Sequence, residues 1–193
     1  MSAEPVYERF RPPPGGFTAD DLDRIPGLPS HAEFIDGSLV FVSPQKLFHM
    51  KVLRLLEQAL AVAAPTDRFR VRREMSVVLG PQQRPEPDLI VVHADADVDN
   101  DQTWYPADAV VLAVEVVSPD SVLRDRERKP QIYAQVGIPH FWRVEESSGQ
   151  PTVYVHALAA SSRAYRPTGI FHGRLKLAEP FDLDIDLTGF DRL

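Results

Sequence analysis

The sequence contains no cysteine, which rules out disulfide frameworks, thiolate-held zinc and thiol nucleophiles. A chain without thiols suits a reducing compartment, and the cytoplasm is the expected location. Lysine is nearly as scarce: of 21 basic side chains only Lys46, Lys51, Lys129 and Lys176 are lysines, so any chemistry that needs an ammonium must draw on these. No run approaches the ~18 consecutive apolar residues of a membrane-spanning helix. The opening residues MSAEPVYERFRPPPGG lack the apolar centre of a secretion signal, so neither membrane insertion nor export is expected. Positive charge is in deficit as well. The 21 basic residues against 28 acidic ones leave a formal charge of -7, which argues against a protein coated in cations to wrap a polyanion.

What is present suffices for one packed unit. The chain has 193 residues, 44% of them apolar, enough to bury a single core. Residues 1–16 carry Pro5, Pro12, Pro13, Pro14, Gly15 and Gly16 and read as a flexible N-terminal arm, leaving 17–193 as one domain. Thr18 caps a short helix over about 19–24, which Pro26 and Gly27 stop. Asp36-Gly37 between two strand-like runs marks a β-hairpin, with Asp36 itself a turn residue. The strongest helical signal follows Pro44 in KLFHMKVLRLLEQALAVAA, where His49, Leu53, Leu56 and Leu60 share one stripe. FRVRREMSVVL alternates as a single half-exposed strand. PDLIVVH and AVVLAVEVVS are runs of β-branched residues with little alternation, as expected of strands covered on both faces. A helix through Tyr133 and the strand candidates HFWRVEE, PTVYVHAL, RAYRPT and LKLAEPFDLDIDL complete a mixed α+β chain with more strand than helix. No internal repeat or low-complexity block divides it.

Glu115 stands out. It interrupts the most apolar run in the chain, where an ionised carboxylate loses several kcal/mol of hydration unless paired, hydrogen-bonded or bound to a metal. In isolation an arginine partner, or an edge position facing water, accounts for it. Asp88 shifts the balance, because it follows Pro87 and opens the other apolar strand, Leu89-Ile90-Val91-Val92. If the two strands are neighbours, both carboxylates project into one cleft, the all-oxygen environment that Mg²⁺ or Mn²⁺ requires.

Pro87-Asp88, then Glu115-Val116-Val117-Ser118-Pro119, then Lys129 with Tyr133 four residues on, then Gly137-Ile138-Pro139-His140-Phe141-Trp142 form an ordered series. It resembles the Uma-two family of putative restriction endonucleases, within the PD-(D/E)xK nuclease superfamily. Glu33-Phe34-Ile35-Asp36-Gly37, Ser43-Pro44 and His49 extend the resemblance over about residues 17–190. It implies a restriction-endonuclease-like fold, a central mixed β-sheet flanked by helices with an N-terminal β-hairpin. It also implies that Asp88, Glu115 and the Val116 carbonyl hold Mg²⁺ or Mn²⁺ and that Lys129 positions the attacking water or neutralises a phosphate. Glu33 would add a third carboxylate or a partner for Lys129, and Tyr133, His49 and Ser118 would support the site. The superfamily places its lysine two residues after the second acid, where this chain has Val117. In the Uma-two group it stands on the following helix, and Lys129 matches it. The implied reaction is hydrolysis of phosphodiester bonds in DNA, carried out, by analogy with many superfamily members, as a homodimer.

Plainer readings accompany these. Lys129 ends the charge run Arg124-Asp125-Arg126-Glu127-Arg128-Lys129, a pattern typical of a solvated surface, Glu33 reads equally as an exposed hairpin residue, and His49 as a hydrogen-bonded core residue. Arg73 and Glu74 are further candidates for the cleft wall. Proline is tolerated at the first position of a helix and not inside one, so the helix is expected to begin at Pro130 with Lys129 at its cap. Two other functions share the pattern: a catalytically inactive nuclease-fold binding module with Glu115 in a structural ion pair, and a metal-dependent hydrolase of another phosphoester. Charge is segregated, with Arg68, Arg70, Arg72, Arg73 and Arg84 in one stretch and Asp95, Asp97, Asp99, Asp101 and Asp108 in the next, so the total of -7 does not exclude a nucleic-acid partner.

Overall fold

The computed structural model describes residues 10–41 and 43–193, so residues 1–9 of the expected arm lie outside it. Its strands are β1 (Ala32–Ile35), β2 (Ser38–Phe41), β3 (Phe69–Arg73), β4 (Ser76–Val78), β5 (Leu89–His93), β6 (Trp104–Pro106), β7 (Val110–Val116), β8 (His140–Ser147), β9 (Gln150–Leu158), β10 (Tyr165–His172), β11 (Arg174–Leu177) and β12 (Leu183–Asp186). Among the described residues two α-helices accompany them, α1 (Leu47–Ala63) and α2 (Lys129–Val136). Six strands make the main sheet in the order β10-β9-β8-β7-β5-β3. All its pairs are antiparallel except β7 with β8. A parallel pair requires a crossover, and residues 117–139, which include α2, provide it.

β5 and β7 show why their hydropathy does not alternate. Leu89 and Val91 join the core under α1, with Val52, Leu53, Leu56 and Leu60 of that helix, while Ile90 and Val92 join the core under α2, with Ile132 and Tyr133. Both faces of these strands are therefore dry. On β7, Leu112, Val114 and Val116 face the α1 side and Ala113 faces the α2 side, so strand alternation turns Glu115 toward α2. Asp88, in step with Ile90 and Val92, turns the same way. On the neighbouring β8, buried Phe141 joins the α2-side core and buried Trp142 the α1-side core, each burial worth roughly 1.5–3 kcal/mol for a large side chain.

Three local expectations are corrected. The helix after Thr18 is a single 3-10 turn, Ala19–Asp21, closed by a Thr18–Asp21 capping box. FRVRREMSVVL is not one strand: Glu74 takes φ +51 and donates its amide to the Asp88 carbonyl, so the chain leaves the main sheet and β4 pairs with β6 instead. One left-handed residue breaks a strand without disturbing the alternation of its side chains. Finally, Pro130 does not start the helix. Residues Arg124–Arg128 form a π-helical turn running into α2, with the Lys129 amide bonded five residues back to the Arg124 carbonyl. The wider turn accommodates a residue with no N–H and a bulky ring, and Lys129 lies inside a continuous helical segment.

The arginine stretch is not a free basic face. Arg72 pairs with Asp97, Arg70 lies 3.8 Å from the same carboxylate, Arg73 lies against Glu74 and Glu57, and Arg84, buried, binds Asp23. The basic and acidic stretches thus partly neutralise each other. Among the described residues no helix is long and apolar enough to cross a membrane.

Candidate active site

The edge where β5 begins and β7 ends gathers the predicted residues. Leu89 is paired with Val114, which sets Asp88 opposite Glu115, and the Val116 amide donates to Asp88 Oδ2 at 2.6 Å. Glu115 is 2% exposed. Its two oxygens are held from α2: Lys129 Nζ lies 3.0 Å from Oε2 and Tyr133 donates its hydroxyl to Oε1 at 2.6 Å. Lys129 and Tyr133 are one helical turn apart, so a single face of α2 supplies both groups. The β1–β2 hairpin contributes Glu33, whose Oε2 sits 3.1 Å from Lys129 Nζ and accepts from the Glu86 amide. The Asp36–Gly37 tip has both residues at positive φ, 55° and 71°, as a two-residue hairpin turn demands. Asp36 is a turn residue that also clamps Arg128 at the start of α2.

His49, in the first turn of α1, reaches Asp88 from the other side, with Nε2 3.0 Å from Oδ1. It is 4% exposed, with that carboxylate beside Nε2 and no hydrogen-bond partner for Nδ1 among the described residues. Ser118 follows β7 and bonds Ser121 through its amide and hydroxyl. Glu74 faces a neighbouring cavity with His31, Glu86 and Asp88, whereas Arg73 turns to Glu57 and Glu74.

Asp125 and Arg124 join the site although their sequence context, a charge run, does not single them out. Asp125 is 2% exposed and lies 3.7 Å from Lys129, and Arg124 approaches Glu33 at 3.8 Å. Their signal was the spacing of four residues between Asp125 and Lys129, hidden in a run that resembles solvated surface. Together these side chains enclose a cavity of about 40 Å³, also lined by Val116 and Ser118, with room for roughly one or two water-sized groups.

The electrostatics of this cavity are lopsided. Glu33, Glu86, Asp88, Glu115, Asp120 and Asp125 line it, against Arg124 and Lys129 as fixed cations. Burial pushes the Glu115 carboxyl well above the ordinary carboxylate range; Lys129 opposes this, and Asp125, Asp88 and Glu33 add to it. Burial likewise raises Asp125, again against Lys129. For Lys129 burial alone would lower the pKa, but Glu115, Glu33 and Asp125 outweigh it and hold the ammonium well above its usual value. Burial and the adjacent Glu115 push Tyr133 up. A buried cluster in which several carboxylates crowd one ammonium is chemically suited to a divalent cation. Among the described residues no three acid, histidine or cysteine side chains converge as a ready-made cage.

A mixed sheet whose crossover helix returns a lysine to two acids on adjacent strand ends defines a restriction-endonuclease-like fold. Residues 19–188 match the Uma2 family, described as "Putative restriction endonuclease", and the chain belongs to that family. Among solved structures it is similar to a putative nuclease belonging to DUF820 from Anabaena variabilis ATCC 29413. That structure is 16% identical, with a TM-score of 0.70 over 90% of this chain and 97% of that one, a likeness of fold. No curated protein matches the chain.

Proposed function

We propose that this chain is a divalent-cation-dependent nuclease that hydrolyses phosphodiester bonds in DNA. The observation that carries the reading is the buried excess of carboxylate around one lysine at the end of β7. Asp88, Glu115 and the Val116 carbonyl would hold Mg²⁺ or Mn²⁺; when bound, the ion lowers the pKa of a coordinated water and offsets charge on the phosphate. Lys129 presents a fixed positive charge to the attacking water or the phosphate. Tyr133 orients Glu115, Glu33 restrains Lys129, and His49 and Ser118 border the approach to Asp88. The paired arginines and a net charge of -7 predict weak, salt-sensitive binding of nucleic acid.

The test is calorimetric titration of Mn²⁺ into the wild type, Glu115→Gln and Asp88→Asn, followed by incubation with supercoiled plasmid, single-stranded DNA, RNA and small phosphodiesters, with EDTA controls. Binding in the wild type alone and metal-dependent nicking of plasmid are expected. A wild type that binds no Mn²⁺ overturns the reading, and cleavage confined to small phosphodiesters assigns a different phosphoester. One observation favours a second reading, a non-catalytic binding module: both Glu115 oxygens already have protein donors, as in a purely structural ion cluster.

A further inference from the structure

The α2 side of the main sheet is covered unevenly. α2 has eight residues, and a helix about 10 Å wide spans only two strands spaced about 4.8 Å apart. Its Ile132 and Tyr133 join Ile90, Val92 and Ala113 of β5 and β7. Farther out, the same side of β8, β9 and β10 carries Arg143, Tyr154, His156 and Tyr165 in place of an apolar surface. A cavity of about 570 Å³ lies there, walled by Phe141, Arg143, His156 and Tyr165 from the sheet and by Gln131 and Gln135 from α2. That volume is within the roughly 300–1,000 Å³ of ligand pockets, and the cation site does not use it.

Rings and arginines alternate in these walls. Buried Phe141 stacks on Tyr165 with centroids 5.5 Å apart and lies 5.6 Å from the His156 ring. Burial and the neighbouring Arg143 hold the His156 imidazole below its ordinary pKa, so it contributes a neutral ring. Charge comes from Arg126, Arg143 and Arg163, and Glu127 is the one acid among the described lining residues. Arg126 and Arg143 share a single carboxylate, Glu145. Exposed Arg163 stands at φ 44°, a left-handed backbone that a long side chain seldom adopts. Its guanidinium donates to the Gln135 carbonyl on the cavity rim at 2.6 Å, which uses one of five N–H donors. Positive charge is therefore in local excess in a chain whose total is -7. Arg126 also lines a cavity of about 510 Å³ that shares Ser43, His49 and Ser118 with the carboxylate cavity, so the three spaces adjoin in series.

We propose that this cavity seats one nucleotide of a single nucleic-acid strand leading away from the cation site: the base packs on the Tyr165 and His156 rings, and the phosphates beside it bind Arg126 and Arg163. The cavity is read from the sheet and α2; its ligand rests on the nuclease reading. Rings meet the π-face that every base has and arginines meet the backbone charge, so such a site holds a strand without reading its sequence.

The test is an NMR titration of the full chain in EDTA with three probes: a five-nucleotide oligodeoxyadenylate, a pentamer of the same backbone without bases, and 2′-deoxyadenosine 5′-monophosphate. The oligodeoxyadenylate should move the Tyr165 and His156 ring protons upfield, as stacking under a purine does, and the abasic pentamer should not. Arg163→Asn, whose side chain tolerates the left-handed backbone, and Arg126→Gln should each weaken the oligodeoxyadenylate at least fivefold with Tm held within about 2 °C. Unmoved rings in the wild type, unchanged affinity in both variants, or affinity lost only together with Tm overturns the proposal. An abasic pentamer that binds as tightly overturns the base pocket, and a mononucleotide that binds as tightly as the pentamer overturns the assignment to a strand. The readout needs neither metal nor turnover: shifted rings in a protein that never cuts keep the nucleotide site, and unmoved rings in one that cuts remove it while the nuclease reading stands.

Discussion

Lys129 is the group on which the buried cluster depends. It lies within 3.0–3.7 Å of Glu115, Glu33 and Asp125, and removing one partner from a buried charge network typically costs about 3–5 kcal/mol. Lys129→Met should therefore lower stability by that order in chemical denaturation, with part recovered on adding Mn²⁺. Glu115 behaves in the opposite sense. Its folded pKa is raised, so the stability it contributes is present at pH below the ordinary carboxylate range and is lost as pH climbs through the raised value. Denaturation midpoints in EDTA should fall over that window, and Glu115→Gln should flatten the fall while abolishing Mn²⁺ binding. Glu115 was legible because a charge in an apolar run demands an explanation. Asp125 and Arg124 were not, since a helix that buries charged residues leaves no apolar stripe to read.

At the scale of elements, α2 is held at both ends. Arg128 is clamped to the hairpin tip by Asp36, and Gly137 ends the helix at φ 94°, its amide bonded to the Tyr133 and Ala134 carbonyls. An L side chain at that left-handed position costs about 1 kcal/mol. Gly137→Ala should lower Tm by roughly 2–4 °C and, by loosening the turn that carries Tyr133, weaken Mn²⁺ binding in the same calorimetric titration. The two central strands, the hairpin and α1 could be read from composition and spacing because each is long or bounded by strong turn residues. The break at Glu74 and the π-helical turn before Lys129 could not, since each depends on backbone angles that tertiary contacts select at a single position.

Across the whole molecule, the two cores and the acid-rich edge trade stability against binding. A cation that binds only the folded chain stabilises it by about 2.7 kcal/mol at 100 times its Kd, so saturating Mn²⁺ should raise Tm by roughly 5–11 °C, and chelation should reverse the gain. Monovalent salt should produce no comparable rise. The parallel pairing of β7 with β8 carries a temporal consequence. Glu115 and Lys129 are fourteen residues apart in the chain, and the pairing that seats α2 over the strand ends cannot form until β8 has been added. A nascent chain halted before β8 displays the acids and the lysine but lacks the docked crossover that brings them together, so the completed cluster signals that synthesis has passed the sheet's midpoint.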